Sequence, residues 1–195
     1  MKKLLFAVLV ALLGLNTTAQ ALTPEKVPEK KRSTLGLYLS AAEAHKAMTE
    51  EQATTLFIDV RSRAEVNFLG MPVVADANVP YMEMDIFYGW DEKKNVYKME
   101  LNPSFVNEIE KRLTEKGLAG KDSKVVLMCR SGDRSAAAAN FLAKSGYSKV
   151  YSIVDGYEGD LAAEGPSKGQ RAVNGWRNNG LPWTYTLDKK KLVIQ

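Results

Sequence analysis

Two short runs in this chain lack the polar alternation of a half-exposed strand: residues 55–60 (TLFIDV) and 125–128 (VVLM). Their length suits strands, and a strand without a polar face needs cover on both sides. The segments around them carry helix signals. Ser40 followed by Glu43 forms a capping box and predicts a helix through Met48. Asn102-Pro103-Ser104 opens a second helix, with Phe105, Val106, Ile109 and Leu113 as one apolar stripe and Gly117 and Gly120 as its end. Residues 135–144 predict a third helix, stopped at Ser145-Gly146. Residues 35–39, 77–79 and 149–154 are further strand candidates. This alternation predicts an α/β fold with a central, mainly parallel sheet flanked by helices on both faces. Sites in such sheets form beyond the carboxyl ends of the strands.

Cys129, the only cysteine among 195 residues, falls at such a place, directly after the run at 125–128. A short loop, Arg130-Ser131-Gly132-Asp133-Arg134-Ser135, leads from it into an alanine-rich helical pattern. Loop amides and the positive end of a helix favour a thiolate over a thiol. The same amides make a concavity for an anion. With one cysteine no intramolecular disulfide can form. The segment therefore points to cysteine chemistry on an anionic substrate.

The N-terminus predicts a compartment. Met1-Lys2-Lys3 is a basic start, residues 4–15 are apolar, and Ala19-Gln20-Ala21 fits a small-x-small cleavage site. Residues 1–21 read as a secretory signal peptide, with a mature chain from Leu22, periplasmic or secreted and without a stable membrane anchor after cleavage. Lys2 and Lys3 leave with it, so the formal charge falls from +4 to +2. A balance that mild, without a broad basic patch, gives nucleic-acid binding no support. An exported free thiol has to be buried or used. Residues 22–33, rich in Pro, Glu and Lys, read as a polar linker or N-terminal arm, and residues 34–195 as one domain. The lysines at 189–191 read as a solvated tail. His45 lies in the first helix, apart from any cysteine or acidic cluster, so neither a metal ligand nor a cofactor is expected.

The strand ending Ile58-Asp59-Val60-Arg61 with Glu65 after it, the Cys129–Ser135 loop, and the strand Val150-Tyr151-Ser152-Ile153-Val154-Asp155-Gly156 together resemble the rhodanese family, the single-domain sulfurtransferases. Gly175-Trp176 and Gly180-Leu181-Pro182-Trp183 resemble the tail of an exported subgroup. The resemblance implies that Cys129 takes the outer sulfur of a donor such as thiosulfate as a persulfide. It then passes that sulfur to a small thiol, to cyanide or to a protein thiol. Arg130 would meet the donor's sulfonate and Arg134 would close the loop or add positive field. Gly132 would supply a turn, Ser131 and Ser135 would donate hydrogen bonds to the sulfur, and Asp133 would organise the loop. Asp59 and Arg61 would brace the loop from the neighbouring strand. Glu65 would cap a helix or pair with Arg61. Trp90, Trp176 and Trp183 read as core or lid packing.

Two positions depart from the family pattern. Gly70-Met71-Pro72-Val73-Val74-Ala75-Asp76-Ala77 stands where many rhodaneses have Gly-His-Ile-Pro-Gly-Ala, and Gly156-Tyr157 where Gly-Gly is usual. Both are expected to reshape the mouth of the pocket. Residues 85–101 read as an inserted flap or hairpin. Two other functions compete. A cysteine phosphatase or arsenate reductase on the same fold uses five residues between cysteine and arginine; here four separate Cys129 from Arg134. A non-catalytic binding module of the family would usually have lost the cysteine.

Overall fold

The computed structural model describes residues 23–194. The predicted signal peptide and its cleavage site at Ala21 lie outside the described residues. Five strands form the central sheet: β1 (Tyr38–Leu39), β2 (Thr55–Asp59), β3 (Ala77–Asn78), β4 (Lys124–Met128) and β5 (Val150–Ile153). Their spatial order is β1-β5-β4-β2-β3, and every pairing is parallel. The strand that delivers Cys129 is thus the middle one.

Four helices cover the sheet: α1 (Ala41–Glu50), α2 (Arg63–Leu69), α3 (Phe105–Glu115) and α4 (Asp133–Lys144). Side chains of a strand alternate between faces, and the two cores divide accordingly. Leu56, Ile58, Val125 and Leu127 pack with Phe105, Ile109 and Leu113 of α3 and Ala138, Ala139 and Leu142 of α4. Phe57, Val126 and Met128 pack with Ala41, Ala44 and Met48 of α1 and Val66 of α2. Both faces are buried, which is why the two founding runs carry no polar alternation.

The local signals explain the helix ends. Ser40 and Glu43 complete a reciprocal capping box on α1. Ser62 and Glu65 do the same for α2, so Glu65 caps a helix as expected. Each such cap stabilises its helix by about 1 kcal/mol. Helix α4 starts two residues earlier than expected, at Asp133, after Gly132 in a left-handed conformation.

From Thr23 onward the segment expected as a linker or arm is a packed arm. It forms two 3-10 turns, and Val27 and Lys31 are each only 2% exposed. Thr34 just beyond it donates its N–H to Asn140 of α4. The inserted segment is a nested hairpin. Met82–Met84 pairs with Met99–Leu101, and Trp90–Asp91 pairs with Val96–Tyr97. Trp90 sits on it exposed, not in the core. The C-terminal segment folds back over the sheet: Trp176 is fully buried, and Trp183–Thr184 pairs with Met71–Pro72. Lys191 is not free in solvent. Its ammonium donates to the carbonyls of Val73 and Ala75. Among the described residues no helix is long and apolar enough to cross a membrane.

Candidate active site

Met128 ends β4 in register with Asp59 of β2, and the chain turns at Cys129. The turn is held from below. The Tyr157 N–H donates to the Cys129 carbonyl at 2.8 Å, and those of Glu158 and Gly159 donate to the Arg130 carbonyl at 2.9 and 3.3 Å. Gly156 makes this close approach possible, since a Cβ there would lie 2.6 Å from the Cys129 oxygen and the Ser131 nitrogen.

The loop then wraps the thiol. The Gly132 N–H donates to Cys129 Sγ at 3.1 Å, and Ser135 Oγ lies 3.5 Å from the sulfur. Ser135 donates to the Gly132 carbonyl at 3.1 Å and accepts from Ser152 Oγ at 2.9 Å, a buried relay from β5 into the loop. Gly132 combines a φ of 99° with a carbonyl neighbour, because a Cβ would lie 2.2 Å from the Val154 oxygen. No side chain fits there. Cys129 itself is 1% exposed. The N–H groups of Arg130 and Ser131 find no protein acceptor among the described residues, which leaves them free for an anion. Arg130 is exposed and Ser131 half-buried.

Arg134 is not open to a substrate. Its guanidinium grips Glu65 of α2 in a two-pronged ion pair, with contacts of 2.7 and 2.5 Å. It closes the loop and ties α4 to α2. Glu65 thereby has Arg134 as its partner, not Arg61. Burial pushes the Glu65 carboxyl up, but the hydrogen bonds and charge of Arg134, with help from Ser62, outweigh this and hold its pKa at about 2. A carboxyl lowered by folding contributes stability above its unfolded pKa and loses it as pH falls through the folded one. About 3 kcal/mol should therefore disappear between about pH 5 and pH 2 through this pair. In urea titrations across that range Glu65→Gln should flatten the fall of stability with pH. A slope equal to that of the wild type would show that the pair does not carry it.

Asp59 and Arg61 form a second ion pair, at the end of β2. Both are fully buried. Arg61 Nε meets both Asp59 oxygens at 3.0 and 3.1 Å, and Nη2 reaches Oδ2 at 2.6 Å and the Gly70 carbonyl at 2.7 Å. Burial opposes the Arg61 charge, but Asp59 outweighs it and raises the guanidinium pKa. The guanidinium lies 3.7 Å over the Tyr157 ring. Tyr157, standing where a glycine is usual, therefore points into the core under Arg61, and its hydroxyl donates to the Leu69 carbonyl. The other departure from the family pattern, Met71-Pro72, is paired with the tail.

Asp133 has one carboxylate oxygen buried without a partner, while the other lies 3.8 Å from exposed Lys30. His45 is half-buried with its ring edge-on to Trp176. Among the described residues no three His, Cys, Asp or Glu side chains gather as a metal site.

Two contributors escaped the sequence reading. Lys31, in a stretch of charges, is buried with its ammonium on the Val154 carbonyl at 2.9 Å and Asp160 at 2.6 Å; its stem passes beside Gly132. Nothing in the local sequence marks it. Helix α2 did carry a signal, the Ser62…Glu65 capping box.

Comparison with known proteins agrees with this geometry. The chain matches the rhodanese-like domain family over residues 40–163. An uncharacterized protein of Rickettsia prowazekii is 30% identical over 128 residues, covering 66% of this chain and 81% of its own length. A thiosulfate sulfurtransferase, GlpE, of Tolumonas auensis is 49% identical over 39 residues, 20% of this chain and 37% of that protein. The crystal structure of Rv0390 from M. tuberculosis aligns with a TM-score of 0.54 at 26% identity, over 76% of this chain and 96% of its own. The family match spans the sheet from β2 to β5 together with the cysteine loop, and the chain therefore belongs to the rhodanese-like family.

Proposed function

We propose that this protein is an exported sulfurtransferase that carries sulfane sulfur as a persulfide on Cys129. The observation that carries the reading is the wrapped sulfur. Cys129 ends the central strand at the start of α4, with the Gly132 amide 3.1 Å from Sγ and Ser135 at 3.5 Å. The Cys129 thiolate attacks the outer sulfur of thiosulfate, forming an S–S bond as the bond to sulfite breaks. The electron pair leaves with sulfite. An acceptor anion, cyanide or a thiolate, then attacks the outer sulfur and returns Cys129 as thiolate. Neither step needs a separate general base once the thiol is ionised. Exposed Arg130 is placed beside the cysteine to meet the sulfonate.

A phosphatase or arsenate reductase is less well served. The Arg134 guanidinium, separated from Cys129 by four residues, is committed to Glu65. The nearly closed loop also suits a single terminal sulfur better than a tetrahedral oxyanion. The test is the intact mass of the purified protein before thiosulfate, after it, and after a thiol reductant. The expected result is a reversible gain of one sulfur atom, with no turnover of p-nitrophenyl phosphate. A protein that gains no sulfur but hydrolyses the phosphate would reverse the reading.

A further inference from the structure

Next to the cysteine loop lies a cavity of about 340 Å³ lined by Glu158, Arg171, Arg177, Asn178 and Trp183. It adjoins the segment that supports the loop: the Glu158 N–H donates to the carbonyl of Arg130, the residue after Cys129. Its walls are organised from the backbone. The Asn178 amide donates to the carbonyls of Glu158, Arg171 and Asn174, pinning three chain segments together. Arg171 donates to the Gly159 carbonyl at 2.6 Å, and Arg177 stacks 4.4 Å over the Trp183 ring.

The charges are only partly offset within the protein. Among the described residues Arg130, Arg171 and Arg177 form no ion pair with a carboxylate. Burial lowers the Arg171 pKa and the neighbouring Arg130 charge lowers it further, which outweighs the opposing charges of Glu158, Asp160 and Asp133. Guanidinium groups held together without a paired carboxylate attract carboxylates or other anions. The cavity is large enough for an organic ligand. It also carries one carboxylate, Glu158, beside its two arginines. That arrangement complements a molecule with carboxylates and an ammonium group.

We propose that this cavity holds the carboxylate-bearing, zwitterionic end of a small amino-acid or peptide thiol, the acceptor that takes sulfur from Cys129. Arg171 and Arg177 receive its carboxylates and Glu158 its ammonium group. The thiol is thereby directed over Arg130 toward the persulfide. The acceptor thiolate attacks the outer sulfur, a new S–S bond forms on the acceptor, and the electron pair of the broken bond returns to Cys129. This assignment rests on the sulfurtransferase reading and adds the acceptor's chemistry to it.

Two measurements test it. In the first, S-methylglutathione, which cannot react, is titrated into the unmodified protein and into Arg171→Gln and Arg177→Gln. Saturable binding to the wild type, weakened about tenfold by either change, is expected from the loss of a charge-assisted contact. In the second, glutathione, 2-mercaptoethanol and cyanide are compared as acceptors after loading with thiosulfate. The KM for glutathione should rise about tenfold more than that for either acceptor lacking carboxylates. No binding of S-methylglutathione overturns the assignment, as does an equal effect on all three acceptors. A selective defect in loading from thiosulfate also overturns it, since the cavity would then serve the donor. Failure of the sulfurtransferase reading itself would look different: the wild type would gain no mass from thiosulfate.

Discussion

Cys129→Ser should take up no sulfur from thiosulfate, and its transfer to cyanide should fall by at least about a thousandfold, to the uncatalysed background. The substitution is nearly isosteric. A serine hydroxyl can still accept the Gly132 N–H, which donates to the sulfur at 3.1 Å, and can still lie beside Ser135. Stability should therefore stay within about 1 kcal/mol of the parent. The chemistry is lost for a separate reason: at neutral pH a hydroxyl does not ionise, and its oxygen is a poor partner for a sulfane sulfur. Thiosulfate loading followed by intact mass, with thiocyanate formation as the kinetic readout, checks both halves of the cycle. Undiminished transfer in a stable variant would remove Cys129 from the mechanism. A biological phenotype unchanged by the substitution would leave only a binding role for the domain.

The position of Cys129 was legible because local signals converge on it. A run without polar alternation, a short loop and an alanine-rich helix place a thiol at a strand end without any long-range information. The capping box at Ser40 was equally legible, and the one at Ser62, though not read, is written the same way within four residues. What escaped was set by partners far away in sequence. Arg134 reads as closing the loop or adding positive field, but its partner stays hidden until α2 docks and brings Glu65 from 69 residues upstream. Lys31 looks like solvated charge until the arm folds onto α4 and offers it Asp160 and the Val154 carbonyl. Tyr157 looks like an obstruction at the pocket mouth until its ring is seen under Arg61. Trp90 looks like core by its size, but the hairpin that carries it stands off the sheet. Periodicity and caps report local backbone preference; the choice of ion-pair partner belongs to tertiary packing.

Removing one member of the buried Asp59–Arg61 pair should cost more stability than any loop substitution. In Asp59→Ala the Arg61 guanidinium keeps only the Gly70 carbonyl and the Tyr157 ring, while its Nη1 already lacks a hydrogen-bond partner. An uncompensated buried charge of this kind costs about 3–5 kcal/mol, a large part of a domain's stability. Arg61→Met alone should be milder, because Asp59 keeps the backbone N–H of residue 61 as a donor. The double variant, with neither charge, should recover much of the loss, because burying the intact pair was itself expensive. A urea-unfolding cycle over the four proteins measures the coupling. Additive effects would mean that the two groups stabilise the fold independently, against the geometry of three contacts between 2.6 and 3.1 Å. The same cycle bears on catalysis. Asp59 is in register with Met128, and the Val60 N–H donates to the Met128 carbonyl at 2.8 Å. A loosened β2 end therefore shifts the residue before Cys129, and Asp59→Ala should slow persulfide formation even in the fraction that remains folded.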